Sequence, residues 1–143
     1  MICSRSAVYA IHACVHLALA PTDKYVMARV IAEHENIPAH FLAKILQDLA
    51  RKGMLKSNKG PSGGFALRIP AEKLRLLDIV EALDGQALAD TAGQVPWMLE
   101  SFRPLHSRIM DDLGRSTIRN VAAELAALRD KTRKSKRAAP RKS

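Results

Sequence analysis

Six cationic side chains, Lys44, Arg51, Lys52, Lys56, Lys59 and Arg68, fall between Pro38 and Arg68 against the single acid Asp48, a local net charge of +5. The same stretch carries Gly60, Gly63 and Gly64 around Pro61 and Ser62. Clustered Lys and Arg neutralise phosphates, and glycines let a backbone approach one with no side chain in the way. That is chemistry for gripping a polyanion. Bond-making chemistry is not visible: no nucleophile, base and orienting group occur together, and no nucleotide-type phosphate loop is present, so an enzyme is not expected.

The sulfur and imidazole groups offer less. Cys3 and Cys14 are the chain's two cysteines. They form no CxxC pair and no zinc-finger spacing, so neither structural zinc nor a disulfide framework is expected. On a helix, His12 and His16 share a face while Cys14 lies roughly 200° round from either, so the three cannot converge on one ion. His12, His16 and His106 are candidates for a metal or haem site across a dimer, with ordinary core or surface histidines the default. Cys14 has no Lys or Arg within a helical turn to stabilise a thiolate, so it should be buried and inert. No metal and no cofactor are expected.

The elements that must position the cations follow from periodicity. Phe41, Leu42, Ile45, Leu46 and Leu49 occupy one helical face, which leaves His40, Lys44, Gln47 and Arg51 on the other. Gly53 ends that helix in a left-handed position. Met54–Lys56 and Phe65–Arg68 read as two short strands around Gly60–Gly64, a turn long enough to project. Upstream, Ser4 caps a first helix running to about Ala20, with Val8, Ile11, Val15 and Leu19 as its core stripe. Val26 to Glu35 reads as a second helix with Met27, Val30 and Ile31 inward. Asn36 marks a left-handed turn, and Pro38 opens the next helix. Two helices joined by so short a turn, the second basic and followed by a basic hairpin, make a winged helix-turn-helix of the kind that reads DNA.

Downstream, Leu76, Ile79, Val80 and Leu83 mark a fourth helix ended by Gly85, and 86–95 reads as a loop. Phe102, Leu105, Ile109 and Leu113 form a stripe on a helix beginning near Pro104. Ile118, Val121, Leu125 and Leu128 form another, capped by Ser116 or Thr117. These stripes lie outside a winged-helix core, and a second copy of the chain is the economical partner.

Composition agrees. In 143 residues, 48% are apolar and only 4% aromatic, which favours helices packed through Ala, Leu and Ile. The net charge of +9 misleads until divided: residues 131–143 carry seven cations and no acid, leaving only +2 for the rest. That tail should be a disordered, non-specific electrostatic arm. No apolar run approaches the roughly 20 residues that span a bilayer. Ala7–Ala20 imitates a signal peptide but is interrupted by His12 and His16 and followed by Pro21, so a cytoplasmic protein without membrane contact is expected.

A co-linear set of motifs then becomes specific. Ser4 with Tyr9-Ala10-Ile11, Ile31-Ala32-Glu33, Ile37-Pro38-x-x-Phe41-Leu42-x-x-Ile45-Leu46-x-x-Leu49, Gly53-Met54-Leu55-x-Ser57 and Gly60-x-x-Gly63-Gly64-Phe65-x-Leu67 resembles the Rrf2 family of bacterial transcription regulators, which includes IscR-, NsrR- and CymR-like proteins. The resemblance covers residues 1–85 closely and Arg103-Pro104-Leu105-His106 more loosely. It implies a homodimeric winged-helix protein on palindromic double-stranded operators, most often a repressor. Many members hold an iron–sulfur cluster through three cysteines before the dimerisation helix. Here Arg103 takes the last of those positions and residues 85–105 contain no cysteine. An arginine cation cannot replace a thiolate, so the usual cluster is not expected. Some relatives draw a further ligand from the first helix, where His12 lies, but one histidine would not hold a cluster.

The expected organisation is a mainly α protein: residues 1–85 as a winged helix-turn-helix domain, 86–130 as a loop and dimerisation helices, and 131–143 as the tail. The expected DNA-contacting set is Ser4, Arg5, Ala28, Pro38, His40, Phe41, Lys44, Lys56, Ser57, Lys59, Gly60, Ser62, Gly63 and Gly64. Simple capping is an equal alternative for Ser4. His40 and Lys44, nearest the helix start, are placed to reach base edges, and Lys59 to enter a minor groove or hold phosphate. The expected dimer interface is Phe102, Leu105, Ile109, Leu113, Ile118, Val121 and Leu125. The function expected is a DNA-binding repressor answering an unidentified effector. The alternatives are a winged-helix protein-interaction module and a non-specific, nucleoid-type binder.

Overall fold

The structure, a computed structural model, describes residues 4–21, 24–61, 63–94 and 96–138; side chains at 86–103, 105, 106 and 138 lie outside the described set. Helices α1 (Arg5–Leu19), α2 (Ala28–Glu35) and α3 (Ala39–Arg51) precede strands β1 (Leu55–Asn58) and β2 (Gly64–Leu67); α4 (Leu76–Gln94), α5 (Pro96–Arg115) and α6 (Ile118–Ala138) follow. This is a mainly α winged helix with a two-stranded antiparallel wing.

Helix α1 starts where expected, with the Ser4 hydroxyl accepting the Ala7 N–H at 3.1 Å. Its inward face differs from the expected stripe. Val8 and Leu19 are 39% and 42% exposed, and the buried face is Ala7, Ala10, Ala13, Cys14 and Leu17, with Val15 beside it. Small side chains let α1 approach its neighbours closely, and a pattern weighted by large hydrophobes overlooks them.

Helix α2 begins at Ala28 rather than Val26, because Val26 is recruited elsewhere. It exchanges two backbone hydrogen bonds with Phe65, at 2.9 and 2.8 Å, bracing the wing from outside the hairpin. Of the residues expected inward, Met27 and Val30 are each 42% exposed; Ile31, with Ala32, is buried. Asn36 ends α2 in the left-handed conformation (φ 57, ψ 49), and Ile37 donates back to the Ala32 carbonyl at 2.9 Å. α3 then buries Leu42, Ile45, Leu46 and Leu49. Phe41, expected inward, lies at the core's edge, where its ring meets Tyr9 edge-on at 5.8 Å.

The core centres on Ile31, Leu42, Leu46, Leu49, Leu55, Leu74, Ile79 and Ile118, all fully buried. Burying each such side chain contributes about 1.5–3 kcal/mol. The wing's register, Leu55↔Leu67 through Asn58↔Gly64, leaves 59–63 as the turn. Helix α6 folds back against α1. It is pinned by Leu76 N–H to the Ser116 carbonyl (2.9 Å) and Ile118 N–H to the Leu74 carbonyl (2.8 Å).

Three expectations for the second half need correction. Residues 86–94 are not a loop: α4 continues through Gln94. Its Ala, Leu and Gln residues favour helix by propensity even where no clear apolar period exists. Helix α5 starts at Pro96, not near Pro104, and carries Pro104 internally. An internal proline gives up one backbone hydrogen bond but does not force a helix to end. The basic segment is helical through Ala138 rather than disordered from 131, since Lys, Arg and Ala are good helix formers; residues 139–143 lie outside the described set. The expected boundaries at 85/86 and 130/131 therefore fall within continuous helices.

Candidate nucleic-acid interface

The buried stripe of α3 fixes what its other side presents. His40, Lys44, Gln47 and Arg51 are all exposed, as are Pro38 and Phe41 at the helix start. Arg51 is held by Asp48 at 3.3 Å, and Lys52 reaches the same carboxylate at 3.3 Å and the Ala82 carbonyl. Exposed pairs of this kind contribute about 0–1 kcal/mol, so Asp48 partly neutralises the end of the helix without anchoring it. Neither Lys44 nor Lys59 takes part in an ion pair among the described residues. Unneutralised charge is thus present at the middle of α3 and on the wing.

On the wing, Lys56, Ser57, Lys59 and Gly60 are exposed, and the Lys56 ammonium stands 5.8 Å above the Tyr25 ring, a cation–π distance. Gly63 is buried, and its N–H is spent on the Gly60 carbonyl at 2.9 Å, so that amide is not offered to a phosphate. A Cβ on Gly63 would stand 2.3 Å from the Asn58 carbonyl oxygen. Gly64 has φ +141, and a Cβ there would stand 2.3 Å from the Val26 carbonyl oxygen. These two glycines let the turn close and the hairpin reach Val26. Ser62 lies outside the described residues.

At the head of α1, Arg5 is exposed, whereas the Ser4 hydroxyl both caps the helix and donates to Asp84 at 2.5 Å. Ala28, at the start of α2, is half-buried against the core. Of the expected dimer residues, Ile118 is fully buried in its own chain and offers no surface to a second copy, a correction with a clear cause: its backbone is bonded to Leu74. Ile109 and Leu113 are half-buried, as are Val121 and Leu125, which pack on the core; Leu128 is 60% exposed. Phe102 and Leu105 lie outside the described side chains.

The sequence pairing of His12 with His16 is realised, with an unforeseen third party. Glu35 of α2 accepts from His16 at 3.2 Å and from His34 at 3.3 Å, and His12 lies 3.7 Å away. His34 and Glu35 belong to another helix, so no spacing within α1 could reveal them. The carboxylate beside His12 and His16, a face already noted for its i, i+4 histidines, was the missing signal. His106 is outside the described side chains.

The cluster suggested by the family resemblance does not fit this donor set. Cys14 is fully buried among apolar side chains, which pushes its thiol up to about 12. Among the described residues Cys14 is the one thiol, and a buried, protonated thiol with no cysteine over 85–105 does not fit thiolate ligation of a cluster.

Among the described residues, no helix is long and apolar enough to cross a membrane. The family model described as "Iron-dependent Transcriptional regulator" matches residues 3–124. An Aquifex aeolicus protein, named provisionally as an HTH-type transcriptional regulator, is 41% identical over 81 residues, 57% of this chain and 56% of its own length. The chain thus spans little more than half of that relative. BadM of Rhodopseudomonas palustris, named in the same provisional way, is 31% identical over 120 residues, 82% of this chain and 76% of its own. Among solved structures, CymR, titled the global cysteine regulator of B. subtilis, superposes with a TM-score of 0.71 at 20% identity, covering 85% of this chain and 95% of that one. That likeness establishes the fold, and the family match over 3–124 establishes the lineage: this chain belongs to the Rrf2 family of transcriptional regulators.

Proposed function

We propose that this protein is a homodimeric repressor that reads a palindromic operator without an iron–sulfur cluster. One observation carries the proposal: α3 presents an exposed polar row, His40, Lys44 and Gln47, directly opposite its buried leucine stripe and just beyond the Asn36 turn. Phosphate contacts from Arg5, Lys56 and Lys59 position the dimer. His40 and Lys44, near the start of α3, read base edges in the major groove, and the wings grip the flanking backbone. Ile109, Leu113, Val121 and Leu125 contribute to the contact between copies, and an effector acts by shifting the geometry of the two copies. The protein works in the cytoplasm, beside its DNA.

The cationic end of α6 favours a second reading, a non-specific binder driven by charge. One titration separates them. Full-length protein and a variant lacking 131–143 are each titrated with a promoter fragment from upstream of the protein's own gene and with random DNA. Operator reading predicts a specificity ratio well above ten in both proteins, and a shallower salt dependence in the truncated one. A ratio near one in both supports the charge-driven binder. Lys44→Ala with Lys59→Ala should lower operator affinity by at least about tenfold while leaving the dimer intact. Unchanged affinity would refute the assignment of these two lysines.

A further inference from the structure

The junction of α1 and α2 holds a group of side chains that the DNA-facing surface does not use. His16 lies in the last turn of α1, and His34 and Glu35 close α2. One potential ligand atom from each of the three lies within 4.8 Å of the others. His16 Nδ1 stands 3.2 Å from Glu35 Oε1, and His34 Nδ1 stands 3.3 Å from the same oxygen. The two imidazole rings meet edge to face at 4.8 Å. One turn upstream, His12 Nδ1 is 3.7 Å from Glu35 Oε2.

These distances are long for N–H to carboxylate hydrogen bonds, which prefer about 2.7–2.9 Å when charge-assisted. The two spacings to Glu35 Oε1 also match an edge of a ligand tetrahedron, while the three ligand atoms together span up to 4.8 Å and would draw closer around an ion. With metal–ligand bonds of about 2.0–2.1 Å, adjacent tetrahedral ligand atoms stand roughly 3.3–3.4 Å apart. Two imidazoles and one carboxylate are also a donor set of the right softness for zinc and its neighbours, and a poor one for magnesium or calcium.

The surroundings agree. His16 and Glu35 are 16% and 14% exposed, whereas His34 is 54% exposed, so the group is sheltered on one side and open to solvent on the other. The open side provides an entry path and room for water as a fourth ligand.

We infer that His16, His34 and Glu35 form a binding site for a divalent transition cation of the zinc class, with water or His12 completing the coordination. Such an ion fastens the end of α2 to α1. From that end the chain passes through Asn36 directly into α3, so occupancy stiffens the helix-turn-helix at its root. This last consequence rests on the DNA-binding proposal above; the site itself does not.

Metal-stripped full-length protein is titrated with Co2+ and then with Zn2+, with no DNA present. The expected result is one equivalent of Co2+ per chain, giving the intense visible absorption of a tetrahedral centre, displaced by Zn2+. Thermal unfolding should move upward by a few degrees when the site is filled. His34→Ala and Glu35→Gln, changes at the edge of the fold, should each weaken Co2+ binding by at least about tenfold, with circular dichroism unchanged. Absence of stoichiometric Co2+ or Zn2+ binding would overturn the site, as would undiminished binding in both His34→Ala and Glu35→Gln. Operator affinity is measured separately on the stripped protein, so failure of the operator reading and failure of the metal site give different results.

Discussion

Ser4 and Asp84, 80 positions apart in sequence, are bonded twice: the Ser4 N–H donates to Asp84 Oδ2 at 2.7 Å, and its hydroxyl donates to Oδ1 at 2.5 Å. The same hydroxyl oxygen caps α1 by accepting from Ala7. Asp84 is only 8% exposed, so its carboxylate has left water for these bonds. The pair ties the first residue of the winged helix to α4, the helix that leads out of it.

Asp84→Ala should therefore strand the Ser4 amide and hydroxyl and destabilise the fold by about 1–3 kcal/mol in chemical denaturation. Ser4→Ala removes the cap and one of the two bonds and should cost roughly 1 kcal/mol. The double variant should lose less than the sum, because the two residues share one interaction. Ser4→Ala should leave DNA affinity of the folded protein unchanged. A loss of affinity with folding intact would mean that Ser4 touches phosphate after all.

Gly64→Ala tests the wing. At φ +141 an L side chain is strained, and its Cβ would overlap the Val26 carbonyl oxygen at 2.3 Å. Rigid backbone cannot give way as a flexible side chain could, so the Val26–Phe65 bridge should break. The expected result is a loss of stability of about 2 kcal/mol or more and a matching drop in affinity for DNA. Gly60→Ala is the comparison: Gly60 also has positive φ, at +105, but nothing lies within 4 Å of an added Cβ. It should cost only about 1 kcal/mol, the left-handed penalty alone. Equal effects at both positions would show that the contact with Val26 does not matter.

How far the sequence disclosed this molecule depends on the kind of signal each element carries. The α3 stripe was legible because large leucines and isoleucines recur at offsets of three and four, and the Asn36 turn because few residues other than glycine tolerate φ near 57. α1 was mistaken in its rotation because its packing face is alanine, whose small hydropathy hides a close helix contact. Val26 could not be assigned to the wing from sequence, since its partner Phe65 follows across an entire helix-turn-helix. Likewise Glu35 joins His16 only once α2 folds onto α1. Local periodicity reports which elements form. Which side chains meet across two elements depends on rotation and register that no single element specifies.

Asp78 gives stability a pH dependence. It sits in the first turn of α4, accepting the Arg75 N–H at 3.0 Å and the Arg75 guanidinium at 2.7 Å. The guanidinium bond, with the backbone N–H and the attraction of the charge adding to it, holds the carboxyl below its ordinary value despite partial burial. A depressed carboxyl stabilises the fold above its unfolded pKa, and that stability is lost as pH falls through the folded value. Wild type should melt about 1–4 °C above Asp78→Asn at neutral pH, a modest gap because the pair faces solvent. The gap should narrow as pH falls below about 4 and through the lower folded value, until it closes. A constant gap across that range would assign the effect to packing and not to charge.

Cys14 should behave as a hydrocarbon-like core group. It is fully buried, and the cost of placing a thiolate among apolar neighbours pushes its pKa up to about 12. An unfolded thiol ionises near 8.5, so at pH 8 the folded protein should present roughly a thousandfold less thiolate, before access is considered. The thiolate is the species that reacts with alkylating agents and oxidants and that binds metal. In a Cys3→Ser variant, iodoacetamide should thus label Cys14 at least about a thousandfold more slowly in the folded than in the denatured protein, with mass spectrometry as the readout. Rapid labelling of the folded protein would show that α1 opens on the timescale of the reaction. It would then make Cys14 a candidate redox sensor.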